Sequence, residues 1–207
     1  MPCDLQNERQ CWADGQKYVA GVDEAGRGPL AGPVVTGAVV LPKDFEHKVL
    51  TDSKKLSPKV RESLYRELIQ WDGLHWASAK SEPKEIDRIN ILKATHLAMA
   101  RAVEALPGEK VPEMVLIDGL KVPNFPYPQI PIIKGDSLSL SIAAASIIAK
   151  VERDRYMIAM EETYPGYGFA QHKGYPTKRH MEALKKLGPC PIHRRSFGPV
   201  AQMSLDL

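Results

Sequence analysis

The alternation of apolar and polar stretches along the chain predicts a set of short strands with helices between them. Tyr18-Val19-Ala20-Gly21-Val22, inside Lys17 to Asp23, is an apolar run of strand type. Gly32 to Leu41 is a second run, β-branched and almost continuously apolar, as a buried strand would be. The link between the two is short, which predicts an antiparallel, hairpin-like pair. Leu74 to Ala79 reads as a third strand. Met114-Val115-Leu116-Ile117-Asp118-Gly119 follows a helical stretch and is predicted to be a parallel strand. Ile130 to Ile133 reads as a last, short strand, which Pro131 confines to a sheet edge.

Helical patterns occupy the intervals. Ser57 is a good N-cap, Pro58 suits the first helical position, and Val60, Leu64 and Leu68 recur every four residues to about Gln70. Glu82 to Asp87 forms a short helical turn. Asn90 caps a helix that reaches Leu106 and is stopped by Pro107-Gly108. Ser139 to Tyr164 is a long helix, small and apolar in its first half and charged in its second. Gly166 to Pro176 reads as a loop. Thr177 caps a helix to Leu187, ended by Gly188-Pro189. Residues 1–16 read as a loose lead-in and Pro191 to Leu207 as a tail.

Composition narrows the class. A chain of 207 residues, 43% apolar and 26% charged, fits one globular domain with a sizeable core. No apolar run is long enough to span a bilayer, and the polar N-terminus has no signal-peptide core. Cys3, Cys11 and Cys190 lack zinc-type spacing, so free thiols and a cytoplasmic location are expected. Nothing in the pattern signals an oligomer, and a monomer is expected. The net charge of +3 is unevenly placed. Between Gln171 and Val200, Lys173, Lys178, Arg179, Lys185, Lys186, Arg194 and Arg195 face Glu182 alone. Such a segment suits a polyanionic partner. A solvated helix face produces the same run, and Lys185 and Lys186 fit that better.

The chemistry lies where the apolar runs stop. Asp23-Glu24, Asp118 and Asp136 each close one. Singly they have ordinary explanations: a surface turn for Asp23-Glu24, a strand exit for Asp118, a helix cap for Asp136. Jointly they gather at strand ends, where open α/β sheets carry their ligand sites. Carboxylates converging without basic partners repel unless a divalent cation sits among them. Hard oxygen ligands point to Mg²⁺ or Mn²⁺. Two such ions can activate a water and stabilise the leaving oxygen of a phosphodiester. After Asp23-Glu24, Gly26 and Gly28 let the backbone turn sharply and approach a ligand, and Arg27 adds a cationic fork suited to phosphate.

Seven stretches in one order carry a resemblance. They are Gly21-Val-Asp-Glu-Ala-Gly-Arg-Gly-Pro29, Asp52-Ser-Lys-Lys-Leu56, Leu116-Ile-Asp-Gly119, Lys134-Gly-Asp-Ser137, Ser141-Ile-Ala-Ala-Ala-Ser146, Gly168-Phe-Ala-Gln-His-Lys-Gly-Tyr-Pro176 and His193-Arg-Arg-Ser-Phe197. The sequence resembles the bacterial ribonuclease HII family, the type 2 ribonucleases H, over roughly Tyr18 to Val200. The related ribonuclease HIII family shares the carboxylates but has a different turn and an extra N-terminal domain. The intact Gly26-Arg27-Gly28 turn and the short lead-in favour type 2.

The resemblance implies an α/β, ribonuclease H-like fold: a mixed five-stranded sheet flanked by helices, spanning 17–200, with a C-terminal helical extension over about 165–200 and a flexible tail at 201–207. It implies a metal-binding active site of Asp23, Glu24, Asp118 and Asp136. It implies that Gly26, Arg27 and Gly28 contact the 2′-hydroxyl and backbone of a ribonucleotide, and that Tyr175 stacks on the adjoining sugar. The family cuts the RNA strand of RNA–DNA hybrids. It also nicks 5′ of single ribonucleotides in duplex DNA, the first step of ribonucleotide excision repair, leaving 3′-hydroxyl and 5′-phosphate ends. Lys54, Lys173, Arg194 and Arg195 are then expected to position the duplex through its phosphates. His172, His180 and His193 are expected at the surface or behind the site, not as ligands. A non-catalytic nucleic-acid binding module and a DNA-structure nuclease of the same fold are the alternatives. The four acids argue against the first and the glycine-arginine-glycine turn against the second. Finally, Gln202-Met203-Ser204-Leu205-Asp206-Leu207 resembles the short peptides that dock into the bacterial replicative sliding clamp through hydrophobic side chains, here Met203, Leu205 and Leu207. A frayed terminus with a few leucines looks the same.

Overall fold

The computed structural model describes residues 3–108 and 111–203. Its centre is a five-stranded sheet in the order β3-β2-β1-β4-β5. β1 (Val19–Ala25) pairs antiparallel with β2 (Val34–Val40), which pairs antiparallel with β3 (His75–Ser81). On its other side β1 runs parallel to β4 (Met114–Asp118), and β4 parallel to the edge strand β5 (Gln129–Ile132). The hairpin, the parallel strand and the edge position of Pro131 are as expected. β1 runs three residues past its apolar run, which stops at Val22, because Asp23, Glu24 and Ala25 still pair with Gly37, Thr36 and Val35 of β2. The two acids therefore sit in the strand, not in the turn after it.

Eight helices surround the sheet among the described residues: α1 (Gln6–Ala13), α2 (Pro58–Gln70), α3 (Pro83–Ile89), α4 (Ile91–Glu104), α5 (Leu140–Thr163), α6 (Phe169–His172), α7 (Lys178–Leu187) and α8 (Gly198–Met203). Ser57, Asn90, Ser139 and Thr177 cap α2, α4, α5 and α7, each side-chain oxygen accepting a backbone N–H of the first turn. Period-2 alternation splits the sheet into two apolar faces. Ala20, Val22, Ala38, Val40, Val115 and Ile117 pack on Met99, Ala102 and Val103 of α4. Val39, on the other face, packs with Ala143–Ala145, Ile147 and Ile148 of α5 and with Leu64 and Leu68 of α2. Gly21 and Gly37 let α5 come this close. A Cβ on Gly21 would collide with the backbone of Ser141 and Ile142, and one on Gly37 with the carbonyl of Ala145. The small-residue half of α5 thus lies directly on the middle of the sheet.

Three stretches depart from the sequence pattern. Within residues 1–16, expected to be loose, α1 buries Cys11 against Val19, Leu116 and Ile142 and sinks the Glu8 carboxylate at the start of α5. There Glu8 accepts from Ser139 Oγ, from Ser141 Oγ and, at 3.0 Å, from Ser141 N–H. A carboxylate at a helix N-terminus satisfies otherwise orphaned donors, which explains a buried acid without a basic partner. The loop before Thr177 contains α6. The segment expected to be a tail from Pro191 buries Ile192, His193, Arg194 and Val200 and ends in α8. Ile192 and Val200 join Leu30, Met157, Phe169 and Leu184 in a separate apolar cluster that docks the C-terminal region on the far half of α5.

Candidate active site

β1 and β4 lie side by side with Val22 opposite Ile117, so their next residues, Asp23 and Asp118, emerge together at the carboxyl edge of the sheet. A short 3₁₀ turn, Gly135–Ser137, follows β5 and brings Asp136 to the same point. Each of the three aspartates places one carboxylate oxygen within 4.8 Å of the others. Asp23 and Asp136 are buried and Asp118 half-buried. Asp118 is fixed by the Gly135 N–H at 2.7 Å, and Asp23 accepts from the Glu24 N–H at 2.7 Å. Burial, then Glu24 and Asp118, holds the Asp23 carboxyl well above its ordinary range. Burial, then Asp118 and Asp52, raises Asp136. Burial tends to lower the Lys54 ammonium, but Asp23, Asp136, Asp52 and Asp118 raise it on balance, so this lysine faces the cluster. The donor set is all oxygen, buried and mutually repelling, and it fits a hard divalent cation.

Glu24 stands beside this group. Neighbouring strand residues point to opposite faces, and Asp23 follows Gly21 towards the α5 face. Glu24 instead pairs with Arg27, 3.3 Å from its guanidinium. Its carboxyl is still raised, by burial against the lowering effect of Arg27.

The turn after β1 is held from behind. Gly26 has φ +99°, and an added Cβ would run into the Arg153 side chain. Two fully buried arginines bind the surrounding carbonyls. Arg194 donates to Gly32 O and Arg27 O, each at 2.9 Å, and to Gly26 O. Arg153 donates to Pro33 O at 3.0 Å, Ala31 O at 3.1 Å and Lys173 O at 3.0 Å. Arg27 itself is exposed. Tyr175, 41% exposed, faces the turn: its ring edge is 3.9 Å from where a Gly28 Cβ would stand, and the Arg153 guanidinium lies 5.8 Å from its centre.

The expected phosphate contacts divide. Lys54 and Arg195 are exposed. Arg194 is not: with no accessible surface it cannot meet a phosphate, and its charge is spent on three carbonyls of the turn. Lys173 is half-buried and donates its ammonium to Ala170 O. Of the two places expected for His180 and His193, at the surface or behind the site, the structure shows the second: both are core residues behind the loop that carries Tyr175. Gln202 is exposed at the end of α8 and Met203 packs against the C-terminal cluster, whereas Ser204 to Leu207, with Leu205 and Leu207, lie outside the described residues. Sequence reasoning missed Asp52, which caps the 3₁₀ turn Ser53–Lys55 and lies close enough to Asp136 to help raise its carboxyl. Its signal was the Asp52-Ser53-Lys54 motif itself. It also missed Arg153, which in the sequence is one charge among several in α5.

A mixed sheet whose central strand and parallel neighbour deliver aspartates to one point defines a ribonuclease H-like fold with a carboxylate site suited to a divalent cation. The model of the ribonuclease HII family matches residues 20–200, and the chain belongs to that family. It is 52% identical over 198 residues to ribonuclease HII of Anaeromyxobacter sp. (strain Fw109-5), covering 96% of this chain and 62% of that protein. It is 55% identical over 199 residues to ribonuclease HII of Myxococcus xanthus (strain DK1622), covering 96% and 67%. The chain thus spans less than two thirds of the length of the first of these relatives. Among solved structures it is similar to ribonuclease H2 from Pyrococcus horikoshii OT3, with a TM-score of 0.76 and 30% identity over 92% of this chain and 98% of that one. It is also similar to the complex of PCNA with ribonuclease HII from Archaeoglobus fulgidus, with a TM-score of 0.72 and 27% identity over 88% and 96%.

Proposed function

We propose that this chain hydrolyses the RNA strand of RNA–DNA hybrids and nicks 5′ of single ribonucleotides in duplex DNA, leaving 3′-hydroxyl and 5′-phosphate ends. The observation that carries this reading is the adjacency of two different devices on one strand. Asp23 belongs to a carboxylate cluster suited to a divalent cation, and three residues later begins a turn whose second glycine, Gly28, is exposed beside Tyr175. Asp23, Asp118 and Asp136 would hold Mg²⁺ or Mn²⁺, with Glu24 at the edge of the group. When bound, the cation supplies Lewis-acid activation of the phosphodiester and of the attacking water. The chain's own residues do the rest. Lys54 and Arg27 bring positive charge to the scissile region. The backbone near Gly26 and Gly28 reads one 2′-hydroxyl without reading a base, and the Tyr175 ring packs on the neighbouring sugar. Arg195 contacts the duplex backbone.

The test is a labelled DNA duplex with one embedded ribonucleotide, incubated with Mg²⁺ or Mn²⁺ beside an all-DNA control. One cut, 5′ of the ribonucleotide and only in the first duplex, is expected. No cut, or equal cutting of both, would overturn the assignment.

A partner follows from the C-terminus. We infer that the end of the chain, from Gln202 through Leu207, docks on a replicative sliding clamp. Support comes from the exposed Gln202 and from the relative solved as a PCNA complex. Pull-down with the clamp should recover the full chain and not one lacking the last six residues; equal recovery of both sinks the idea.

A further inference from the structure

His172, His180 and His193 form a buried group behind the loop that carries Tyr175, and the hydrogen bonds around them fix every proton. The Cys190 N–H donates to His193 Nδ1 at 3.0 Å, so this nitrogen is an acceptor and the His193 proton is on Nε2. His193 Nε2 lies 3.1 Å from His180 Nε2, which must then accept. The His180 proton is therefore on Nδ1, and Nδ1 lies 2.9 Å from the Tyr175 carbonyl, which can only accept. One unbroken chain of donors thus runs from the Cys190 amide through two imidazoles to Tyr175. Both rings have essentially no accessible surface. Burial pulls both down to about 4, so at neutral pH each is the uncharged ring this pattern requires. His172 completes the support: its ring stacks on His180 with centres 4.5 Å apart, and its Nδ1 accepts from the Gly174 N–H at 3.2 Å.

Tyr175 needs such support. Its side chain is exposed, and it follows two residues with positive φ, Lys173 at 53° and Gly174 at 82°. Its ring lies beside Gly28 and the Arg153 guanidinium. Its main chain is fixed at both ends, the N–H donating to His172 O at 2.9 Å and the carbonyl accepting from His180 and from the Thr177 N–H at 2.8 Å. A small shift of a group that orients a reacting substrate is costly, up to about a hundredfold in rate for 1 Å.

We propose that His180 and His193 are positioning residues for Tyr175, a two-imidazole strut that sets the tyrosine against the glycine-arginine-glycine turn. The proposal rests on the reading of Tyr175 as a ribose contact, and its test separates the two. The enzymes compared are wild type, His180→Phe, His180→Asn, Tyr175→Ala and the double variant Tyr175→Ala/His180→Phe, on a duplex with one embedded ribonucleotide. Phe keeps the volume of the ring and removes its donor, whereas Asn places an amide donor near the Nδ1 position. His180→Phe is expected to lower kcat between about tenfold and a hundredfold, with a smaller change in KM, and His180→Asn to recover most of the loss. In the Tyr175→Ala background, His180→Phe should cost less than about twofold, because residues that act through one another are not additive. Full additivity overturns the proposal, as does a wild-type kcat for His180→Phe beside a slow Tyr175→Ala enzyme. A Tyr175→Ala enzyme at the wild-type rate overturns the ribose reading and the proposal together. Should His180→Phe not fold, imidazole ¹⁵N spectra of the wild-type protein decide. Nδ1–H on His180 with Nε2–H on His193 is expected, and any other pair of tautomers overturns the strut.

Discussion

Asp23 and Gly26 are three residues apart, yet the regions they belong to are held by opposite means. The carboxylate centre is placed by regular structure. Parallel pairing sets Asp23 beside Asp118, and a 3₁₀ turn after β5 adds Asp136. Its side chains are strained electrostatically, not sterically: the acids are buried together and raise one another. The turn from Gly26 to Gly28 and the Tyr175 loop are irregular backbone. They are placed by buried polar side chains from α5 and the C-terminal region, two arginines on carbonyls and two histidines on the tyrosine loop. In the first region the fold is rigid and the chemistry is poised. In the second the proposed recognition surface is plain backbone, and it is fixed by buried groups behind it.

Asp23→Asn should separate the two regions most sharply. The substitution keeps shape and the acceptor for the Glu24 N–H but removes a ligand charge. Cleavage is expected to fall on the order of 10³-fold or more, while binding to an RNA–DNA hybrid measured by fluorescence anisotropy stays within about threefold, since the proposed recognition surface lies in the other region. Loss of binding in parallel with cleavage would merge the two regions into one.

Gly26→Ala strikes the second region and spares the first. The position has φ +99°, and the new methyl meets the Arg153 side chain, so strain of roughly 1–3 kcal/mol is expected from the backbone alone. Cutting at a single ribonucleotide should fall about a hundredfold, whereas the affinity of the carboxylates for Mn²⁺, read by calorimetry, should not move. A changed Mn²⁺ affinity would show that the turn also shapes the metal centre.

These two regions differ as much in how far a sequence reveals them. The strands, the capped helices and the acids at strand ends follow from periodicity, from capping chemistry and from electrostatics, all local properties. Glu24 shows the limit even there: adjacent acids in a strand must diverge, and only the end of β1 decides which one enters the cluster. Arg194 shows the limit elsewhere. In sequence it is one of two adjacent arginines in a basic segment. Only the packing of Ile192, His193 and Val200 into the C-terminal cluster turns it inward, and a phosphate contact becomes a bracket for carbonyls. Glu8 is similar, since nothing in a polar N-terminal stretch announces a carboxylate that caps a helix more than a hundred residues later.

A metal-free comparison sharpens the electrostatic half of the contrast. The folded state raises Asp23, Asp136 and Glu24, so it holds protons more tightly than the unfolded chain does. Their contribution to stability is then full below the ordinary carboxylate range and is lost as pH rises through the raised values. In chelator at pH 7, Asp23→Asn should melt higher than wild type, by about 2–4 °C for each kcal/mol of relieved repulsion. The difference should vanish as pH falls below the ordinary carboxylate range. Mg²⁺ should raise the wild-type Tm more than that of the variant. A variant that melts lower than wild type in chelator at pH 7 would mean that Asp23 is a structural anchor and not a strained ligand.

The smallest effect separates the two neighbouring arginines. Arg195 is exposed and its backbone N–H donates to Asp87 at 2.9 Å, so removing its side chain should leave stability within about 0.5 kcal/mol. As a phosphate contact it should reduce the slope of log affinity against log salt by about 1, evenly across substrate sequences. Arg194→Ala should do the reverse. It leaves the carbonyls of Gly26, Arg27 and Gly32 without their donor, which costs roughly 1–3 kcal/mol for each group left buried and unpaired. Because Arg194 never faces the duplex, the salt slope of whatever folded fraction remains should match wild type. Equal slopes for the two variants would mean that Arg195 does not reach a phosphate, and the basic C-terminal segment would then owe its charge to solvation and internal bracing.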